Sequence, residues 1–297
     1  MDVSVIIVNY NSFQLILDSI ESIYEFTDGV NFEIIVIDND STERDIEQIN
    51  KHYKDVVFIK NNKNRGFGSG NNLGAKYANG EYLFLLNPDT VLLNNAIGKF
   101  FEFCRQDRNV GIVGGNLYDA NRMPAFSGWR FLPSLLSKID FLLHDQLGNI
   151  LKKVGHFNFT GLPQKVGYIS GADLFIPKRI FLDAGGFDED FFMYYEETEL
   201  TYRVKKLGYD VYLLPDAKIL HLEGQSETDA EKVAYRMRKS EKLYYIKTKQ
   251  RYLIRLCYII DTLHYHIHIL YNRLKGDHSK IKLFSDKLCL IRKIERI

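Results

Sequence analysis

Three short apolar runs of the sequence are each followed, within three residues, by a side chain that can hold a polar ligand. These side chains are Asn9, Asp38 and Asp89. Short runs rich in β-branched and aliphatic residues are typical of strands that are buried on both faces of a parallel sheet. The carboxyl ends of parallel strands meet at one edge, where such sheets bind their ligands. The sequence therefore predicts one polar site at that edge.

A glycine-rich stretch, NRGFGSGNNLG at residues 64–74, lies between two of these side chains. Its glycines lack the spacing of the dinucleotide-binding fingerprint and of the P-loop, so both of those phosphate-binding motifs are excluded. A loop that runs into a helix can present free backbone N–H groups to a phosphate or a sugar. The same glycines can instead serve a turn that requires positive φ. The residues alone leave both interpretations open.

The spacing of apolar residues predicts strands that alternate with helices. A helix is predicted to end at Phe26 and to be capped by Asn11 or Ser12, and Ser41 or Thr42 can cap another. The predicted strands span residues 3–8, 32–37, 56–59 and 82–86. This alternation indicates an α/β fold with a doubly wound, mostly parallel sheet flanked by helices.

Composition and charge indicate a globular protein with two regions of opposite charge. Of the 297 residues, 45% are hydrophobic and 26% charged, which excludes intrinsic disorder and collagen-like repeats. The 3 cysteines are an odd number and lack metal-ligand spacing, which argues against a disulfide scaffold and against a Cys-based zinc site. Such cysteine usage is typical of a protein in the reducing cytosol. Residues 232–297 carry 17 Lys and Arg against 5 Asp and Glu, a net charge of +12, whereas residues 1–231 carry 22 against 33. Opposite charges point to two different roles.

Six motifs, taken in chain order, resemble those of the inverting glycosyltransferases of family 2. They are VIIVNYNS at residues 5–12, VIDNDST at 36–42, NRGFGSGNNLG at 64–74, LNPDT at 86–90, a long segment at 170–209 and HLEGQS at 221–226. The resemblance implies a GT-A fold and sugar transfer from a nucleoside-diphosphate donor. The NPDT and GFGSGNN sequences most resemble the rhamnosyltransferase-like branch, which builds bacterial surface polysaccharides.

The resemblance also implies a donor site. Asp89 matches the last acid of the family's D-x-D motif, and together with His221 it would bind Mg²⁺ or Mn²⁺ against the donor diphosphate. Asn87 replaces the first acid of that motif, which predicts weaker metal affinity. Asp38 matches the acid that receives the pyrimidine or its ribose. The other implied donor-binding residues are Asn9, Tyr10, Asn64, Gly66, Phe67, Asn71 and Asn87. For Tyr10, packing in the core is an equal alternative to stacking on the base.

The catalytic base is implied by the segment MYYEETELTYR at residues 193–203, which has E-E-T-E where the family usually has E-D-x-D, so that Glu replaces the Asp base. Glu197 occupies the position of the base, and Glu196 is the alternative. Such a base takes the proton of the acceptor hydroxyl while that oxygen attacks the anomeric carbon. Acids at the start of an amphipathic helix are also favoured by its dipole, an explanation that suits Glu199 best.

Two residues are predicted to contact the acceptor. Asp173 matches a family segment that lines the donor-sugar and acceptor pocket, and the alternative is an Asp in solvent at a strand edge. Trp129 lies beside Arg130, and an aromatic ring next to a cation suits a sugar ring or a lipid phosphate. For Trp129 the alternative is packing in the core.

The chain is predicted to divide into a GT-A domain at residues 1–228, with a donor half at 1–117 and an acceptor half at 118–228, and a basic helical tail at 229–297. Arg255 and Asp261 interrupt the tail's apolar stretch, which disfavours a membrane span. A basic amphipathic helix on an anionic leaflet is favoured. The alternatives are a helical subdomain with a solvated basic face and a contact in a homo-oligomer. Nucleic-acid binding is disfavoured because the tail lacks single-strand-binding motifs.

Taken together, the sequence predicts a metal-dependent, inverting hexosyltransferase of bacterial surface polysaccharide synthesis. It would move rhamnose or another hexose from a dTDP- or UDP-linked donor to a glycan or lipid-linked acceptor. The expected location is the cytoplasm, peripheral on the inner face of the cell membrane. The alternative is a non-catalytic, membrane-docked assembly protein that binds nucleotide or glycan, which the replacement of an acid by Asn87 and the Glu-rich base motif keep open.

Overall fold

The computed structural model describes residues 1–42, 49, 53–143, 146–151, 155–222 and 230–295. The chain forms two compact units, which are described separately. The sheet unit comprises Met1–Leu132 and Lys152–Thr228, and the helical unit comprises Pro133–Leu151 and Asp229–Ile297. The helical unit thus includes part of the segment that the sequence analysis assigned to the acceptor half.

The sheet unit is built on a nine-stranded sheet with the order β3-β2-β1-β4-β10-β6-β11-β5, in which β8 also pairs with β11. Strands β7 and β9 form a separate two-stranded sheet. The strands are β1 Val3–Asn9, β2 Phe32–Asp38, β3 Val57–Lys60, β4 Tyr82–Leu86, β5 Thr90–Leu92, β6 Val110–Tyr118, β7 Gly128–Trp129, β8 Gln164–Lys165, β9 Tyr168–Ile169, β10 Asp173–Pro177 and β11 Asp210–His221.

Most neighbouring strands in the main sheet run in the same direction. β3, β2, β1 and β4 are mutually parallel, and β6 is parallel to β11. β10 is inserted between β4 and β6 and is antiparallel to both. Consequently Asp173, the first residue of β10, lies opposite Leu86, the last residue of β4. The amino end of β10 and the carboxyl ends of the parallel strands therefore share one edge.

Helices cover both faces of the sheet. The helices of the sheet unit are α1 Phe13–Phe26, α2 Phe67–Tyr77, α3 Ala96–Gln106, α6 Lys178–Asp183 and α7 Glu196–Lys206. Alternate residues of β1 enter two different cores: Val5 and Ile7 pack in the cluster that contains residues of α1 and α3, and Ile6 packs in the cluster that contains residues of α2 and α7. The predicted α/β fold, with a large, mostly parallel sheet between helices, is confirmed.

The start of α1 differs from its prediction. The Ser12 side chain makes no capping hydrogen bond, and its Oγ donates instead to the Tyr10 carbonyl at 3.2 Å. Asn11 Oδ1 accepts from the Thr42 backbone N–H at 2.8 Å. Both polar side chains thus bond to loop backbone and not to the first turn of the helix, because short polar side chains can bond to nearby backbone groups as readily as they cap a helix. The predicted helix after Ser41 falls mainly on residues outside the described ranges.

The helical unit contains α4 Leu135–Leu142, α5 Gln146–Ile150, α8 Ala230–Lys247, α9 Tyr252–Lys275 and α10 His278–Glu295. Its C-terminal helices confirm the predicted helical tail. Gly276, with φ of 70°, ends α9 in the left-handed conformation. Within the described residues, none of the helices combines the length and the apolar character needed to cross a membrane.

Four charged side chains connect three helices of this unit. Lys138 of α4 lies 3.1 Å from Glu241 of α8, measured from Nζ to Oε1. Arg238 of α8 pairs with Glu241 and lies 3.3 Å from Asp261 of α9, measured from Nη1 to Oδ2. Charges removed from water are tolerated when they are paired in this way. The cluster therefore fixes which faces of α4, α8 and α9 are turned toward one another.

Candidate active site

The ends of β1 and β2 are joined by their polar side chains. Asn9 Nδ2 donates to Asp38 Oδ1 at 3.0 Å and to Ser41 Oγ at 2.9 Å, and Asn9 Oδ1 accepts from the Ser12 backbone N–H at 3.1 Å. Asn9 and Asp38 are both fully buried. The pair therefore holds the two following loops in place, and the contact of Asp38 with a base or ribose stays a prediction.

Tyr10, which follows Asn9 directly, lies at the surface. Its side chain is 48% exposed. The alternative that Tyr10 packs in the core is therefore wrong. An exposed aromatic ring at the carboxyl edge of the sheet can present its face to a planar ligand.

The glycine-rich loop begins with a turn that requires glycine. Gly66 has φ of 94°, and a Cβ atom at this position would overlap the carbonyl oxygen of Phe192. The Gly66 N–H donates to Asn64 Oδ1 at 2.9 Å, and the Phe67 N–H donates to the Phe192 carbonyl at 3.1 Å. These two N–H groups are thus satisfied by the protein itself, which supports the turn interpretation over phosphate binding at these positions. The loop instead positions the segment around Phe192, just before α7.

Asn71 is buried within α2. Its Nδ2 donates to the Phe67 carbonyl at 3.1 Å, one turn earlier, and the side chain is fully removed from solvent. In this structure the residue therefore stabilises the start of α2, and its predicted donor contact stays a prediction.

Asn87, Asp89 and His221 converge where β4 and β11 end. His221 Nε2 lies 3.4 Å from Asp89 Oδ1 and 3.5 Å from Asn87 Nδ2. The backbone reinforces this arrangement, because the Leu222 N–H donates to the Asp89 carbonyl at 2.9 Å. One carboxylate, one imidazole and one amide thus face a common point. The remainder of the HLEGQS motif, residues 223–226, lies outside the described residues.

The side chains of Asp89 and His221 offer the kinds of ligand atom that a divalent cation requires. Carboxylate oxygen and imidazole nitrogen suit Mn²⁺, and Mg²⁺ is bound through one or two carboxylates with the substrate phosphates completing the shell. In the described part of the chain, no group of three or more His, Cys, Asp and Glu side chains is arranged to hold a metal. Asp89 and His221 therefore fit a cation that shares its ligands with a bound diphosphate.

Asp173 is fully buried at the same edge of the sheet. Its Oδ2 accepts a hydrogen bond from the Gly115 backbone N–H at 2.5 Å, and burial raises the pKa of its carboxyl well above the ordinary value. The alternative that Asp173 is a solvated residue at a strand edge is therefore wrong. The carboxyl joins β10 to β6, and its contact with an acceptor stays a prediction.

The two candidate bases lie at the start of α7 in different surroundings. Glu196 is 5% exposed, and its Oε2 has no hydrogen-bond partner among the described residues. Glu197 is half-buried, and its Oε1 accepts from Thr198 Oγ1 at 2.8 Å. Burial raises the pKa of both carboxyls, and the neighbouring charge of Glu197 raises that of Glu196 further. Glu197 is therefore the less buried of the two carboxyls, and its role as the base stays a prediction.

Unusual backbone geometry and a structural ion pair flank these acids. Tyr194 and Tyr195 have φ of 69° and 68°, although both carry large side chains. Consecutive left-handed residues of this kind cost free energy and are concentrated at functional sites. Glu199 instead forms an ion pair with Arg203 at 2.6 Å. Glu199 thus has a structural role within α7, through its ion pair with Arg203.

The dipeptide Gly171–Ala172, just before β10, lies between Glu197 at the start of α7 and the loop that contains Asn87. Glu197 lies beside Gly171, since a Cβ atom added at Gly171 would lie 3.5 Å from Glu197 Cγ, at van der Waals distance. The next residue, Ala172, accepts a hydrogen bond from the Asn87 backbone N–H at 2.9 Å. A short stretch of backbone therefore connects the candidate base with the candidate metal ligands.

Trp129 lies outside the main sheet, on β7. It is half-buried, with the Arg130 guanidinium carbon 5.2 Å from the centre of its ring. The strand pairs with β9, and the Ser170 N–H donates to the Ser127 carbonyl at 2.9 Å. Trp129 is thus attached to the segment that leads to Asp173, and the structure gives no contact between the two side chains.

The sequence analysis assigned no role to Asn39, although it directly follows Asp38. Its Nδ2 donates to the Gly66 carbonyl at 3.0 Å, and its Oδ1 accepts from Asn61 Nδ2 at 3.1 Å. Asn39 therefore connects the end of β2 to the glycine-rich loop. Its position one residue after a strand, inside a recognised motif, is the signal that could have identified it.

The chain is similar to known glycosyltransferases over most of its length. The family model for glycosyl transferase family 2 matches residues 4–166. The low-salt glycan biosynthesis hexosyltransferase Agl10 of Haloferax volcanii is 28% identical over 77% of this chain and 70% of its own. The rhamnosyltransferase WbbL of Escherichia coli K12 is 24% identical over 85% of this chain and 93% of its own.

A solved structure has the same fold. The mannosyltransferase PcManGT from Pyrobaculum calidifontis, in complex with GDP-Man and Mn²⁺, superposes with a TM-score of 0.61. The alignment covers 98% of this chain and 84% of the mannosyltransferase, at 14% sequence identity. At this identity the similarity establishes a common GT-A architecture.

The close approach at Gly66 can be tested against a matched glycine. Gly66→Ala introduces a Cβ atom into the Phe192 carbonyl, whereas Gly161, which also has positive φ, has open space around it. We expect Gly161→Ala to lower the free energy of unfolding by about 1 kcal/mol and Gly66→Ala to lower it by at least about 2 kcal/mol more. Urea unfolding of both variants measures the difference, and equal losses would show that the Phe192 contact is unimportant.

Proposed function

The chain belongs to glycosyl transferase family 2, and from this premise we propose that it transfers a hexosyl group, with inversion, from a nucleoside-diphosphate donor to a glycan or lipid-linked acceptor. One observation carries the proposal. The dipeptide Gly171–Ala172 lies beside the candidate base Glu197 and accepts a hydrogen bond from the backbone of Asn87, next to the candidate metal ligands. A base and a site for the leaving diphosphate are what an inverting transfer requires.

The donor diphosphate is proposed to lie against Asp89 and His221. When bound there, Mg²⁺ or Mn²⁺ would neutralise the negative charge that grows on the departing nucleoside diphosphate. Asp89 and His221 would provide the protein's ligands, and the Asn87 amide can bond to a hydroxyl or phosphate oxygen beside them. At the neighbouring strand ends, Tyr10 is proposed to stack on the base, while Asp38 orders the loop that receives the ribose.

Glu197 is proposed to act as the general base. Its carboxylate would accept the proton of the acceptor hydroxyl as that oxygen attacks the anomeric carbon from the face opposite the diphosphate. Glu196 lies next to it in a more buried position and would keep its proton, because two adjacent carboxyls do not ionise at the same pH. Only one of these two neighbouring carboxyls would then carry a negative charge.

The proposed donor is rhamnose or another hexose linked to dTDP or UDP. This choice is supported by the names of the relatives, a rhamnosyltransferase and a hexosyltransferase, and by the NPDT and GFGSGNN sequences. The proposed setting is surface polysaccharide synthesis in the bacterial cytoplasm. There the enzyme would contact the inner face of the cell membrane through residues 229–297 and receive acceptors that remain in that membrane.

The role of Glu197 predicts a selective loss of turnover. We expect Glu197→Gln to lower kcat by about 10²- to 10⁴-fold while leaving the Kd for the nucleoside diphosphate unchanged, because the amide cannot accept the proton. Release of nucleoside diphosphate from the donor, with bacterial membrane extract as acceptor, measures kcat. Glu81→Gln, at an exposed carboxyl of the same unit, is the control. A larger loss in Glu196→Gln would transfer the role to Glu196, and turnover retained in both variants would contradict the mechanism.

The raised pKa of Glu197 predicts the acid side of the pH profile. The base acts only when ionised, so kcat/KM falls as the pH decreases through its pKa. Because burial raises that pKa, the midpoint is expected above the ordinary value of 4.5. The profile should be measured for the native chain and for Thr198→Val, which removes the hydrogen bond that lowers the Glu197 pKa and should move the midpoint upward. A midpoint that does not respond would assign the titration to another group.

The metal site predicts cation-dependent nucleotide binding. Calorimetric titration with dTDP, UDP and GDP, each with Mn²⁺ and then with EDTA, should show tighter binding of dTDP or UDP and a loss of affinity on chelation. Asp89→Asn should weaken the Mn²⁺-dependent binding by about tenfold or more, because it removes the carboxylate ligand. Asp216→Asn, at an exposed acid, should leave it unchanged. No binding of any of the three nucleotides would overturn the donor site.

A further inference from the structure

Helix α9 exposes a continuous apolar stripe along its length. Seven large side chains are each at least half exposed: Tyr252, Ile259, Leu263, Ile267, Leu270, Tyr271 and Leu274. At 3.6 residues per turn they fall within an arc of about 120° and extend over about 33 Å of the helix axis. A soluble helix usually turns such a stripe toward a core, so its exposure calls for a partner.

The opposite face of α9 is occupied by the helical unit itself. His268 stacks on Phe284 of α10 at 4.6 Å between ring centres, and Cys257 Sγ lies 3.5 Å from the Tyr245 hydroxyl of α8. Asp261, the only acid in α9, faces Arg238 and Lys138 within the ion cluster. The stripe is therefore a second apolar face, separate from the one that packs against the unit.

The charged side chains that α9 exposes beside the stripe are all positive. Arg251, Arg255 and Arg273 are exposed, and their helical positions border one edge of the stripe. An apolar face bordered by arginines is typical of a helix that lies in the interface of a membrane, where the guanidinium groups meet lipid phosphates.

The apolar surface continues beyond the other edge of the stripe. The Phe141 ring of α4 lies 5.0 Å from the His264 ring of α9, between ring centres. Leu136, Phe141 and Leu142 are exposed on this short helix. Of the thirty exposed large apolar side chains in the described residues, eighteen belong to the helical unit. Exposed apolar surface is thus concentrated in the smaller and more basic unit.

We propose that the α9 stripe, bordered by its arginines and extended by α4, is the surface that docks onto an anionic lipid bilayer. This inference deepens the proposed membrane contact and rests on it. Anionic lipid attracts a segment with a net charge of +12, whereas two copies of that segment repel each other. Apolar burial together with a basic patch supplies the two attractions that stable peripheral binding requires.

The test is sedimentation of the full chain with vesicles. Vesicles of phosphatidylcholine with phosphatidylglycerol should bind the protein, vesicles of phosphatidylcholine alone should bind it at least about tenfold more weakly, and added salt should weaken binding to the anionic vesicles. Leu263→Asp combined with Ile267→Asp should lower the partition coefficient at least about tenfold, since both side chains are exposed and the change puts charge into the stripe. Arg255→Gln combined with Arg273→Gln should remove most of the preference for anionic lipid.

The matched control is Leu182→Asp. Leu182 of the sheet unit is 57% exposed, compared with 55% for Leu263, so its substitution makes the same chemical change at the same exposure. It should leave vesicle binding unchanged. Circular dichroism of each variant checks that the helices remain folded, and a variant that has lost them is replaced by Leu270→Ser, which should weaken binding in the same direction.

Three results would overturn the proposal. They are equal binding to neutral and anionic vesicles, equal loss in Leu182→Asp, and a dimer in light scattering that dissociates in the stripe variant, which would assign the stripe to a second copy of the chain. Nucleotide titration of the same preparations shows whether only the docking surface has failed or the proposed function has failed as well. Intact nucleotide binding without vesicle binding removes only the docking surface.

Discussion

The reversed direction of β10 determines where the candidate chemistry lies. Because this strand is antiparallel to β4, its first residue, Asp173, lies opposite Leu86 at the carboxyl edge of the sheet. The backbone that enters β10 must pass the same edge, so Gly171 and Ala172 lie between the start of α7 and the loop after β4. A parallel strand would begin at the opposite edge and would leave Glu197 without this connection to Asn87.

The same edge contains several features that a fold optimised only for stability would avoid. Asp173 is a buried carboxyl, Glu196 has a buried oxygen without a hydrogen-bond partner among the described residues, and two consecutive tyrosines precede α7 with positive φ. Each of these features costs free energy, and such costs are found most often where a site must be held in a fixed shape. Their concentration around one dipeptide supports the assignment of the site more strongly than any one of them.

The sequence predicted the elements whose signals are local. β1, β2 and β4 were recognisable as short continuous apolar runs, and α1 because its apolar residues follow a helical period. The insertion of β10 as an antiparallel strand was not predicted, because its direction depends on pairing with β4, far away in the chain. The burial of Asp173 was missed for a related reason, since its partner Gly115 lies 58 positions away in the sequence and becomes a neighbour only in the folded chain.

In the helical unit, one buried acid determines which surface α9 presents. An ion pair in a protein interior adds little net stability, because desolvation offsets the attraction, but removing one partner leaves an uncompensated charge. Asp261 therefore has to face Lys138 and Arg238, whose contacts with Glu241 are already made. Rotating α9 to bury Leu263 and Ile267 would bring Asp261 into solvent and leave two cations with one acid, Glu241, to balance them. The ion cluster thus sets the orientation of α9, and this orientation leaves the apolar stripe and its arginines exposed to solvent.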